Sequence, residues 1–143
     1  MLTATGELQA LEISQNGAPI TVLDQHKSAF TLKAQSYTIR PSGAFTRSYE
    51  LRRGDEVLAF AKGVLFVNRF NVTYGDKSWL LKAENLRATR YGLYDSATRV
   101  GGIAPGGWIR PWNNATIDLP DALPLDAQVF LTSIVLSKWG EPN

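Results

Sequence analysis

Side chains suited to acid–base, nucleophilic or metal chemistry are sparse in this sequence. There is one histidine and no cysteine in 143 residues. His26 lies between Gln25 and Lys27 at the end of a strand-like run and reads as a turn residue, because a general base needs a positioned partner and none stands near it. A metal site would have to join His26 to carboxylates without any paired-histidine spacing, so neither a metal nor another cofactor is expected. Serines are plentiful, but no Gly-x-Ser-x-Gly elbow occurs. The nearest carboxylate pairs are Asp55-Glu56, in a hairpin turn, and Asp121 with Asp126, flanking a helix start where negative charge is favoured for structural reasons. Gly101-Gly102 and Gly106-Gly107 fit no phosphate-binding loop and read as turn or bulge glycines. Catalysis is not expected from this inventory.

Binding chemistry is better represented. Trp108-Ile109-Arg110-Pro111-Trp112 follows the breakers Pro105-Gly106-Gly107, and tryptophan with arginine is favoured both at membrane interfaces and at protein contact hot spots. Trp108, Arg110 and Trp112 are therefore candidate membrane or partner contacts. Arg52, Arg53, Lys62, Arg69 and Arg90, spread over strands and turns, are candidate contacts to an anionic ligand. Net charge is only +2 and no Lys/Arg block appears, so a nucleic-acid partner is not expected.

These residues must be positioned by short strands, for the chain is densely punctuated. Glu7 to Ser14 is strand-like and ends at the Asn16-Gly17 turn; Phe30-Thr-Leu32 and Tyr37-Thr-Ile39 alternate apolar and polar residues. Ala44 to Arg52, with Phe45, Tyr49 and Leu51 alternating, the turn Arg53-Gly54-Asp55-Glu56 and Val57 to Phe60 give the clearest hairpin. Further strands are predicted at 64–66, 70–74, 78–83, 88–94, 99–103 and 114–119. Tyr49-Glu50-Leu51 with Val57 is echoed by Tyr91-Gly92-Leu93 with Val100, as two matched hairpins.

One segment breaks this rhythm. From Pro124 to Trp139 the chain reads as a helix that is apolar on nearly every side, and such a helix must be surrounded. It is too short for a hydrocarbon core of roughly 30 Å, so the surroundings must be protein. A sandwich leaves no room for it, whereas a wide barrel has a lumen to fill. The expected fold is one domain over 1–143, mainly β: a closed antiparallel β-barrel of roughly 10–12 strands within 7–119, enclosing a hydrophobic C-terminal α-helix at 124–139.

The barrel strands, the hairpin Tyr91-Gly-Leu-Tyr-Asp95 with Val100-Gly101-Gly-Ile103, then Ala115-Thr-Ile-Asp-Leu-Pro120 and the apolar helix, resemble the tubby C-terminal-like superfamily over about 49–139. That superfamily includes tubby-like, LURP-one-related and phospholipid scramblase-like proteins, and the chain looks most like its compact bacterial-type members. The resemblance implies a barrel around a C-terminal helix and a lipid-binding role. Tubby domains hold phosphoinositide headgroups with a Lys-x-Arg pair, which this sequence lacks; nor does it have the cysteines or aspartate-rich loop of scramblases. The expected function is a non-catalytic binding module that docks on an anionic phospholipid surface or a protein partner. A carrier of a small hydrophobic ligand and an enzyme with an unrecognised site are the alternatives. Met1 to Gly6 has neither a basic start nor an apolar run, so a cytoplasmic location with peripheral membrane attachment is the expectation.

Overall fold

The structure is a computed structural model and describes residues 1–7, 10–24, 27–42, 47–64, 67–106 and 114–139. Twelve strands precede one helix: β1 (Leu2–Glu7), β2 (Ala10–Gln15), β3 (Ala18–Leu23), β4 (Ala29–Leu32), β5 (Gln35–Ser42), β6 (Ser48–Arg53), β7 (Glu56–Gly63), β8 (Arg69–Tyr74), β9 (Lys77–Ala83), β10 (Tyr91–Asp95), β11 (Thr98–Pro105), β12 (Asn114–Asp118) and α1 (Leu125–Trp139). They form one antiparallel sheet in the order β3-β2-β1-β12-β11-β10-β9-β8-β7-β6-β5-β4. The sheet curls into a nearly closed barrel. Its seam lies between β3 and β4, where the Asp24–Ala29 bridge and the bond from the Thr21 hydroxyl to the Thr31 carbonyl (2.5 Å) replace a full ladder. An open groove of about 380 Å³ lies at this seam, lined in part by Thr21, Val22, Phe30, Thr31 and Tyr37.

Alternation along the strands separates lumen from surface. In β8, Phe70 and Val72 are buried while Arg69, Asn71 and Thr73 are exposed; in β2, Leu11 and Ile13 are buried and Glu12 is exposed. The inward set meets α1, whose residues from Asp126 to Leu136 are all buried. Its few polar groups are satisfied locally. The Thr132 hydroxyl donates to the Gln128 carbonyl (2.8 Å), the Ser137 hydroxyl to Ile134 (2.6 Å), and the Gln128 amide to Leu123 (2.8 Å). Pro124 stands just outside the helix, and its carbonyl accepts the Gln128 N–H (3.0 Å).

Several boundaries differ from the sequence reading. β1 adds a strand before residue 7, and the run read as one strand from Glu7 to Ser14 holds the last residue of β1 and most of β2, with 8–9 outside the described residues; Gly6, near the end of β1, takes a φ of 114°. Of the strand predicted at 64–66, Val64 lies just beyond β7, which ends at Gly63, and 65–66 lie outside the described residues. Gly101 and Gly102 lie inside β11, directly after the register shift at Val100, so of the turn and bulge readings it is the bulge that the strand pairing matches. A Cβ on Gly101 would meet the Asp118 carbonyl oxygen at 2.3 Å, so close backbone packing between β11 and the end of β12 demands glycine there.

Because every pair of neighbouring strands is antiparallel, connections fall alternately at the two ends of the barrel. One end carries the two-residue turns Asn16–Gly17, Lys33–Ala34, Gly54–Asp55, Gly75–Asp76 and Ser96–Ala97. The other carries the longer connections that follow β3, β5, β7, β9 and β11, and α1 runs from the turn end to this loop end.

Candidate functional site

The loop end of β7 to β10 carries the exposed cationic side chains Lys62, Arg69, Arg87 and Arg90 and the half-buried Lys82. Outward positions set this up: Lys62 of β7 faces Asn71 of β8, and Arg69 of β8 stands directly opposite Lys82 of β9. The connections then lie side by side, for the Val64 N–H donates to the Arg69 carbonyl (3.0 Å), the Ala83 N–H to Asn68 (2.9 Å) and the Glu84 N–H to Arg90 (2.8 Å). Arg90, whose carbonyl accepts the Glu84 N–H, and Arg87, in the same connection, thereby stand at the same end of the barrel as Lys82 and Arg69. Among the described residues none of Lys62, Arg69, Arg87 and Arg90 is paired with a carboxylate. Lys82 rests over the Tyr94 ring, 4.5 Å from its centroid.

The nearby carboxylate is already engaged. The Arg99 Nε donates to Glu84 Oε2 and its Nη2 to Oε1, both at 2.9 Å, and the Tyr94 hydroxyl donates to Oε2 at 2.5 Å. This cluster lies flat on Gly92 and Gly102, which face each other across β10 and β11. A Cβ on Gly92 would meet the Glu84 carboxyl carbon at 2.5 Å, and one on Gly102 the Arg99 Nη2 at 2.4 Å. The Arg99 guanidinium holds the Glu84 carboxyl below the usual glutamate range, with a smaller push from Tyr94, while the bond to Glu84 raises Tyr94 above the usual phenol range. Carboxylate and phenol are moved away from neutrality in opposite directions, which suits a structural clasp and not proton transfer.

The connection from β9 to β10 is a braced loop. The Asn85 carboxamide oxygen accepts the N–H groups of Thr89 (2.9 Å) and Arg90 (3.1 Å), and its nitrogen donates to the Thr89 hydroxyl (2.6 Å). From inside the barrel the Trp139 indole donates to the Thr89 carbonyl (2.9 Å), which fastens the loop to the end of α1. Leu86 is held at its tip, 106% exposed on the relative scale, and Val67 in the adjoining β7–β8 connection is 54% exposed.

The turn end has the opposite character. Asp55, Glu56, Asp76, Asp95 and Asp121 are exposed there beside Lys33, Arg53 and Lys77. At this end Tyr74 donates to Asp126 Oδ2 (3.1 Å) at the start of α1; burial, then the Asp126 charge, pushes the Tyr74 phenol up to about 12.

Of the basic residues singled out from sequence, Lys62, Arg69 and Arg90 are brought together. Arg52 and Arg53 are not: Arg52 pairs with Glu50 (3.3 Å) on the barrel wall and Arg53 with Glu56 (3.1 Å) at the turn end. Trp108, Arg110 and Trp112, like His26, lie outside the described residues; the strands joined by the tryptophan segment end at Pro105 and begin again at Asn114, at the loop end. Sequence reasoning passed over Lys82, Arg87, Val67 and Leu86. A lone leucine between Asn85 and Arg87, in a gap between strands, was the available signal. Among the described residues no group of three metal-ligating side chains assembles, and no helix is long and apolar enough to cross a membrane. No family model, curated protein or solved structure matches this chain.

Proposed function

We propose that this chain is a non-catalytic binding module that docks by its loop end on an anionic phospholipid surface. The observation that carries this is the direct opposition of Arg69 and Lys82 across β8 and β9, with Lys62, Arg87 and Arg90 at the same end and no unpaired carboxylate described among them. Like charges facing each other across a sheet are locally unfavourable, and such a conflict persists where an external counter-charge relieves it. The tubby-like pattern from Tyr49 to Trp139 supports the same reading. The cytoplasmic leaflet, with its negative surface potential, is the surface this end suits. A ligand carrier is disfavoured because α1 occupies the lumen.

The test is co-sedimentation with phosphatidylcholine vesicles, with and without phosphatidylserine, at low and high salt. Binding requires phosphatidylserine and weakens with salt. At about 1 kcal/mol for each basic side chain near the surface, reversing three charges in Lys62→Glu/Arg69→Glu/Arg90→Glu lowers affinity by more than about a hundredfold. Trp108→Ala/Trp112→Ala measures the contribution of the tryptophan segment. Binding that ignores the charge of both lipid and protein would refute the reading.

A further inference from the structure

The same end that collects the cations also holds exposed aliphatic side chains. We propose that Leu86 and Val67 are hydrocarbon anchors, which insert below the headgroups while Lys62, Arg69, Lys82, Arg87 and Arg90 form a collar at headgroup level, so that the barrel docks end-on with its acidic turns facing away. This rests on the anionic-lipid reading above and adds to it a mode of insertion and an orientation.

Three observations carry it. Leu86 is wholly exposed, yet its loop is not loose: Asn85 closes it with bonds to Thr89 and Arg90, and Trp139 pins Thr89 from within the barrel. Rigid presentation of a leucine to solvent brings no benefit in water and is what an insertion site requires, since the ordering cost is met before contact. Second, Val67 occupies the neighbouring connection, bonded to it through Ala83 and Asn68, so the two aliphatic side chains share one end instead of being scattered singly. Third, the collar is cationic and the opposite end is rich in carboxylates, so an anionic surface attracts one end and repels the other. The exposed large apolar side chains described at this end are aliphatic, which suits hydrocarbon; stacking on nucleic-acid bases calls for aromatic rings.

The absence of cysteine makes the test direct. Single cysteines are placed as Leu86→Cys, Val67→Cys and, as a control at the turn end, Asp76→Cys, each labelled with an environment-sensitive fluorophore. On phosphatidylserine-containing vesicles the labels at 86 and 67 shift to the blue and are quenched by spin labels on the lipid acyl chains, whereas the label at 76 keeps its aqueous emission. In parallel, Leu86→Ser/Val67→Ser weakens vesicle binding by about tenfold or more with an unchanged thermal midpoint, and the remainder is abolished by high salt. Vesicle binding in which the labels at 86 and 67 stay in water, or in which the double serine variant binds as wild type does, would overturn the anchors and leave electrostatic docking standing. No binding to anionic vesicles by the unlabelled wild type would overturn the docking reading itself, and the anchors with it.

Discussion

Glu84 shows how much of this surface is settled by single side chains. Its carboxylate lies against two glycines, is gripped through two bonds by Arg99 and receives the Tyr94 hydroxyl, which removes a negative charge from the loop end's field. The pH consequence has a definite sign. Arg99 lowers the folded-state pKa of Glu84 below its unfolded value of about 4.3, so the stabilisation is complete above that value and is lost as pH falls through the folded one. Urea midpoints measured from pH 7 downward should therefore fall more steeply below about pH 4.3 in wild type than in Glu84→Gln. Equal acid slopes would show that the clasp adds nothing to stability. Little of this was legible in the sequence. Gly101-Gly102 stood out, but residues 84, 92, 99 and 102 come together only through the pairing of β9, β10 and β11, which no local pattern announces.

At the scale of elements, the parts that sequence periodicity revealed are those where one face decides. The helix was legible because an all-round apolar segment admits few homes, and the middle strands because burial alternates cleanly along them. β1 was less so: Leu2 and Ala4 alternate with Thr3 and Thr5, but the segment is short and ends in Gly6. The echo between the β6–β7 and β10–β11 hairpins has a structural basis. Both skip a residue in register, Leu58 and Val100, and the β2–β3 hairpin does the same at Ile20; all three are half-buried and sharpen the twist of the wall. The tight turns use positive φ, which Asn16-Gly17, Gly54 and Gly75 adopt cheaply, but the β4–β5 turn places Lys33 and Ala34 at φ of 50° and 64°. Ala34 carries a Cβ in the left-handed region and has no polar side chain to compensate. Ala34→Gly should raise stability by about 1 kcal/mol, read as a higher urea midpoint at constant slope. A lower midpoint would mean that the turn is not of this type.

For the whole molecule, the quantity that matters is hidden by its own average. A net charge of +2 names no partner, yet alternating connections send Asp55, Glu56, Asp76, Asp95 and Asp121 to one end and Lys62, Arg69, Lys82, Arg87 and Arg90 toward the other. The sorting was present in the sequence as a rule about every second turn, and it becomes readable only once the strand order is known. It makes a prediction independent of any lipid. Lys62→Glu/Arg69→Glu/Arg90→Glu and Lys33→Glu/Arg53→Glu/Lys77→Glu have the same composition change in charge and the same net charge. If charge acted only through its total, the two would elute together from a sulfonate cation exchanger. A polarised molecule instead approaches the resin by its basic end, within a Debye length of about 10 Å at 0.1 M salt, and the far end is screened. The loop-end variant should therefore elute at distinctly lower salt than the turn-end variant, which should stay nearer to wild type. Elution of the two at the same salt concentration would show that the ends do not act as separate poles, and end-on docking would lose its electrostatic basis.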